Sequence, residues 1–275
     1  AETPPRAVLS RNEMERVLAA ARADITASWA VFQAGCAALA RLDRAAIAAE
    51  DDLARLDLDD IGVLLAIICD RFGGIVPPTR VMSKPGAKLW RLHFAMLRHG
   101  ANLKVAAHLY MMPETIVPYM IAIGAQTYAN AEALRLLRRD CMSEHLLLDG
   151  RVLVTWSKGR SSREQRRSFL KDKSFSVPTL IEQVLAMTAA LIPHARPEDR
   201  DRLFLIDNMN SSRIVGVIPN YLVSAHVRRF VKRHDLRDDL GRPLQLSIAA
   251  LRASGLTLAH ERLGHDILKT QALAN

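Results

Sequence analysis

Cysteine is scarce in this 275-residue chain, and its placement builds nothing. Cys36, Cys69 and Cys141 are odd in number, widely spaced and without a C-x-x-C pair. A disulfide framework and a zinc ribbon are thereby excluded, and the three are read as reduced core thiols of a cytosolic protein. Long apolar runs are missing too. The longest, IGVLLAIIC at 61–69, lies between Asp60 and Asp70 and falls short of the roughly 18–20 residues of a membrane span. There is no glycine-rich loop with its lysine to cradle a nucleotide phosphate, and no serine or cysteine in a nucleophile-elbow context. His260 and His265 are five apart, about 140° around a helix, whereas a zinc-protease helix needs them four apart on one face. No metal, nucleotide or other cofactor is therefore expected. The amino terminus, AETPPRAVLS, has no apolar h-region and no initiator Met, which suggests no signal peptide and a fragment of a longer protein.

What is present is apolar content and positive charge. Hydrophobic residues make up 49%, enough for a sizeable buried core. Lysine and arginine number 38 against 29 acids, a net charge of +9. Such an excess suits a partner of dense negative charge, with nucleic acid ahead of a membrane surface. No internal repeat, low-complexity tract or long linker divides the chain, so one domain over 1–275 is expected.

Helical periodicity dominates 1–142. Ser10 followed by Glu13 has capping-box spacing, and Met14, Val17 and Leu18 share the face behind it. Further helices are predicted up to about Ala49, through the apolar stretch that Gly73 and Gly74 stop, and over Lys88–Arg98, Leu103–Tyr110, Pro113–Gly124 and Asn130–Leu137, with VPPTRVMSKPG as a loop. A β-hairpin region follows at 146–177. Asp149-Gly150 is a turn signal between apolar runs, and Val152, Val154 and Trp156 alternate with Arg151, Leu153 and Thr155. Helices are predicted again over 178–275. The expected class is α+β, mainly α-helical with a small antiparallel β-sheet.

The hairpin region is also basic. Between Arg151 and Lys173 stand eight lysines and arginines, Lys158, Arg160, Arg163, Arg166, Arg167 and Lys171 among them, against Glu164 and Asp172. Paired strands would hold them in a fixed array along a phosphate backbone. A second basic segment, HVRRFVKRHDLR, puts Arg228, Arg229 and Lys232 at helical spacing, with Val227, Phe230 and Val231 as its buried side.

Three stretches in order, AEALRLLRRDCM, GRVLVTWSKGR and LSIAALRASGLTLAHERLGHDILKTQALAN, resemble the catalytic domain of the tyrosine recombinases, the phage-integrase family. AVLSRNEMERVLAAA is similar to that domain's first helix. The likeness spans nearly the whole chain, with 30–78 reading as an insertion, and it rests on collinearity, since each motif alone is weak. It implies the tyrosine-recombinase catalytic-domain fold and a DNA strand transferase that works through a phosphotyrosine, binds double-stranded DNA and can assemble as a homo-oligomer on it, with no membrane partner. In that chemistry arginines stabilise the charge growing on the phosphoryl oxygens, a lysine protonates the departing 5′ oxygen and a tyrosine attacks. By resemblance, Arg252 matches the arginine of His-x-x-Arg and Lys158 the hairpin lysine, while Glu132 and Asp140 match acidic positions that brace the site.

The departures are specific. The family's first arginine falls on Ala129, or on Asn130 if the register slips by one, and its His-x-x-Arg histidine falls on Ala249. Another basic residue, such as Arg135 or Arg138, would have to substitute; otherwise the chain is a divergent member. His265 follows Arg252 too closely to be the family's late histidine, and the better register puts that motif's glycine at Asn275. Tyr110, Tyr119, Tyr128 and Tyr221 all precede Arg252, so the chain is expected to be truncated before its nucleophile and inactive in strand cleavage. Two rival readings stand beside this one: a catalytically degenerate DNA-binding or regulatory protein on the same scaffold, and an unrelated helical protein with a basic surface.

Overall fold

In the computed structural model, which describes residues 8–82, 89–158, 163–209, 214–262, 266 and 267, Ser10 opens the first helix, α1 (Arg11–Ala40). Its hydroxyl accepts from the Glu13 N–H at 3.1 Å, and the Glu13 carboxylate accepts from the Ser10 N–H at 2.9 Å. Two donors left over at the helix start are thus satisfied reciprocally, as the spacing predicts. Beyond α2 (Arg44–Ala49), Asp60 caps α3 (Ile61–Phe72) by accepting from the Gly62 N–H, and Gly73 ends it at φ +63°. The stretch expected as a loop at 76–86 holds one helical turn, α4 (Thr79–Met82), and its residues 83–86 lie outside the described ones. With α5 (Trp90–Arg98) and α6 (Ala101–Ala106), these helices enclose a core of their own, centred on Leu64, Leu65, Ile68, Leu92 and Met96.

The main core surrounds α7 (Pro113–Thr127). Proline at its first position suits a helix start, and Ile116, Val117, Tyr119 and Ile123 are fully buried. α7 stops at Tyr128, which takes the left-handed conformation at φ +55° while its N–H returns to the Gly124 carbonyl. A short α8 (Ala131–Arg135) follows, started by Asn130, whose side chain accepts from the Ala133 N–H at 2.7 Å.

Strands β1 (Met142–Glu144), β2 (Arg151–Lys158) and β3 (Arg163–Leu170) form an antiparallel sheet in the order β1-β2-β3. The predicted alternation holds: Val152, Val154 and Trp156 are buried, and the Trp156 indole N–H donates to Gln165 across its own rung at 2.8 Å. The turn differs from expectation. Asp149-Gly150 closes a six-residue connection between β1 and β2 instead of a two-residue hairpin, and in it Leu146 and Leu147 stand in solvent. The β2–β3 connection at 159–162 lies outside the described residues.

After α9 (Val177–Thr188), the segment predicted as helical contains a second small sheet, β4 (Leu205–Asp207) paired antiparallel with β5 (Val215–Val217). The chain closes with α10 (Asn220–Arg233) and α11 (Ile248–Arg262), both packed on α7. Mainly helical with small antiparallel sheets is thus the architecture, with two sheets among the described residues where one was expected. One cysteine expectation also fails: Cys141 is buried and Cys69 half-buried, whereas Cys36 is exposed on α1. No helix among the described residues is long and apolar enough to cross a membrane.

Candidate nucleic-acid interface

Arg252 lies on α11, whose first turn Ser247 caps by accepting from the Ala250 N–H at 3.1 Å. Two residues beyond Arg252, the buried Ser254 hydroxyl accepts from the Leu9 N–H at 2.8 Å, which fixes α11 against the start of α1. One turn beyond Arg252 comes Gly255. A β-carbon there would stand 2.6 Å from the Tyr128 ring, so glycine is what lets α11 settle on that ring. The Arg167 guanidinium of β3 lies over the same ring, 4.7 Å from its centre, and donates to the Gln126 carbonyl at 3.1 Å. That carbonyl belongs to the last turn of α7, where the helix dipole favours a cation. A cation–π contact and a helix end therefore hold Arg167 in place.

Arg252 of α11 is near enough for its charge to act on Arg167 of β3. Both are half-buried. Desolvation pushes the Arg167 guanidinium below the usual arginine value; Tyr128 opposes that shift, and the nearby positive charge of Arg252 adds to it. Burial lowers Arg252 in the same direction. Ala129, where the resemblance expects an arginine, is buried next to Tyr128, and Ala249 stands one turn before Arg252.

The remaining predicted residues fall in several places. Lys158 ends β2 opposite Arg163, about 13 Å along the strand from the Val154–Arg167 rung at 3.3 Å per residue. The side chains of Lys158 and Arg163, and all of Arg160 and His265, lie outside the described residues. Arg166 is exposed and pairs with Glu164 at 3.1 Å, and Lys171 is exposed just after β3. On α10, Val227 and Phe230 are buried and Val231 partly so, as predicted. The exposed Arg228, Arg229 and Lys232 lie on its outer side, where Arg228 and Lys232 border a separate cleft floored by Leu236, Leu244 and Leu246.

Glu132 and Asp140 line a cleft with Trp156, Glu164 and Arg202. Each is held by a neighbour: Glu132 by Arg135 at 2.6 Å and Asp140 by Arg138 at 2.8 Å, contacts that draw both carboxyls below their ordinary range. The same contacts occupy the two arginines expected to substitute at the phosphate pocket. Arg135 also donates to the Ile218 carbonyl, and Arg138 also pairs with Asp201 at 2.5 Å. Arg252 instead acts by its charge on Arg167, which the sequence marks only as one member of a basic array.

Tyr110 and Tyr119 are buried, and the Tyr119 hydroxyl donates to Gln183 at 2.8 Å with its pKa pushed up by burial. Tyr221 is exposed on α10, and the Tyr128 ring lies beneath the Arg167 guanidinium and against Gly255. Among the described residues no group of three or more histidines, cysteines or carboxylates could hold a metal ion.

No family model matches the chain, and no curated protein does. Among solved structures it is similar to the XerH site-specific recombinase bound to difH substrate in a pre-cleavage complex. The TM-score is 0.43 and the identity 17%, over 61% of this chain and 42% of that one. It is likewise similar to the XerH recombinase bound to palindromic difH substrate in a post-cleavage complex, with TM-score 0.43 and 15% identity over 62% of this chain and 42% of that one. The chain thus spans about two fifths of the length of these recombinase chains.

Proposed function

We propose that this chain is the phosphate-binding portion of an integrase-type DNA strand transferase of the tyrosine-recombinase fold. It would hold duplex DNA at Arg252, with the basic hairpin alongside and Lys158 positioned to protonate a departing 5′ oxygen. One observation supports the reading: α11, which carries Arg252, packs through Gly255 on the Tyr128 ring that Arg167 of the basic hairpin overlies, and the charge of Arg252 acts on Arg167. Phosphate groups are bound by guanidinium pairs through charge-assisted hydrogen bonds, and such pairs gain strength where water is partly excluded. None of the four tyrosines in these 275 residues follows Arg252, so the chain by itself is expected to bind DNA without cutting it.

The test is binding of a labelled duplex by fluorescence anisotropy across a salt series. Affinity should fall linearly on a log–log plot, with a slope of about −0.9 per phosphate contact, and Arg252→Gln should flatten it by about one contact. Absent or salt-insensitive binding refutes the reading. A suicide substrate should yield no covalent adduct, and an adduct would show that one of the four tyrosines attacks DNA. Ala129 and Ala249 favour a second reading, a regulatory DNA-binding protein that has lost its chemistry, because both stand where the resemblance expects a basic residue. A tyrosine-bearing helix encoded directly after Asn275 belongs to the first reading, and its absence to the second.

A further inference from the structure

We propose that a cavity between α1, α7 and the base of the β2–β3 hairpin binds a small aromatic phosphomonoester of about mononucleotide size. The cavity measures about 410 Å³, within the range of small-molecule sites. None of the arginines and lysines singled out for DNA lines it, so the inference does not rest on the DNA-binding reading.

Its polar lining is cationic. Arg22 of α1, Arg151 at the start of β2 and Lys173 after β3 all line it, and among the described residues no carboxylate does. The Arg151 head is fixed in place: Nε donates to the Ser168 hydroxyl at 2.7 Å and Nη2 to the Ser168 carbonyl at 2.9 Å, which uses two of its five donors. The Arg22 guanidinium lies over the Phe175 ring, 5.9 Å from its centre. The rest of the lining is apolar. Leu18, Ala122 and Phe169 contribute to it and belong to, or pack on, the main core. Phe175 stands at φ +58°, a conformation that a bulky residue keeps only where its surroundings impose it. Gln126 does so here, since its side-chain amide donates to the Phe175 carbonyl and to the Ala122 carbonyl, both at 3.0 Å. A phosphomonoester brings close to two negative charges and three acceptor oxygens to these cations, where a carboxylate brings one charge and two oxygens. A ring attached to it covers the two phenylalanines, which an inorganic ion would leave in water.

The probe is adenosine 5′-monophosphate, titrated into the full chain at constant ionic strength and followed by calorimetry. Adenosine, which lacks the anion, and inorganic phosphate, which lacks the ring, are titrated beside it. The monophosphate should bind at least about tenfold more tightly than either. Arg22→Gln and Lys173→Gln should each weaken it about tenfold, the loss expected for a hydrogen bond from a charged donor. Both side chains are exposed, so melting temperature should stay at the wild-type value and a folding defect cannot mimic the loss. Absence of monophosphate binding by wild type overturns the proposal. Equal binding of adenosine or of inorganic phosphate overturns it too, as does a double variant that binds like wild type. The Gln126 carbonyl also holds Arg167 of the candidate interface, so a blunt duplex is added to the loaded protein as a last step. The monophosphate should stay bound; its displacement would make the cavity part of the DNA surface and overturn a separate site.

Discussion

Tyr128 matters to the candidate interface because Arg167 lies over its ring and α11, which carries Arg252, packs against it at Gly255. Its ring lies beneath the Arg167 guanidinium and against the bare backbone of Gly255. Gly255→Ala puts a methyl group where the ring stands, and an overpacked contact of this kind costs about 1–3 kcal/mol. Thermal melting should show that loss, and duplex affinity should drop with it as the ring beneath Arg167 is displaced. A variant as stable and as tight-binding as wild type would contradict this role of the ring. Very little of this was legible in the sequence. Gly255 reads as an unremarkable small residue within a helix, and Arg167 as one of eight cations in a hairpin. Their meeting depends on packing between residues 128, 167 and 255, and no local pattern encodes it. Arg135 and Arg138 were the natural substitutes by proximity in sequence to Ala129, but Glu132, Asp140 and Asp201 engage them.

At the scale of elements, what could be read was what is set locally. The Ser10–Glu13 box lies within one turn, and the hairpin alternation of Val152, Val154 and Trp156 lies within one strand. Ser10→Ala should therefore lower stability by about 1 kcal/mol, through loss of the cap at the start of α1. Urea unfolding should report it as a lower midpoint with unchanged slope; an unchanged midpoint would mean the box contributes nothing. Leu146 and Leu147 misled in the opposite sense, since an apolar run before a turn signal reads as strand, yet these side chains are exposed in a connection. Strands β4 and β5 escaped because each has three residues, all buried, so no alternation between an inner and an outer face can mark them. The resemblance that named Arg252 needed no such pattern; it came from the order of three stretches along the chain.

For the whole molecule, two histidines set the acid limit of stability. His108 is half-buried against the Val31 carbonyl, with its Nδ1 at 3.1 Å, and desolvation lowers its pKa below the ordinary 6.5. His226 on α10 is lowered by burial as well; Arg229 and Arg233 add to the shift, and Glu114 opposes it. Both are held neutral in the fold while the unfolded chain binds their protons near pH 6.5. Their contribution is therefore complete above that pH and is lost as pH falls through and below it. Melting temperature should decline between pH 7 and pH 5.5. His108→Asn, which keeps a donor for Val31, combined with His226→Gln should flatten the decline, whereas a slope unchanged in the double variant would place the acid limit elsewhere.

The shared surface of Arg252 and the hairpin is tested most directly by following the arginine Nε–Hε resonances of the isotope-labelled chain as duplex DNA is added. Arg167 and Arg252 should shift together and saturate at one DNA concentration, while Arg138, tied to Asp140 and Asp201, stays in place. Shifts confined to Arg228 and Arg229 of α10, with Arg167 and Arg252 unmoved, would contradict it.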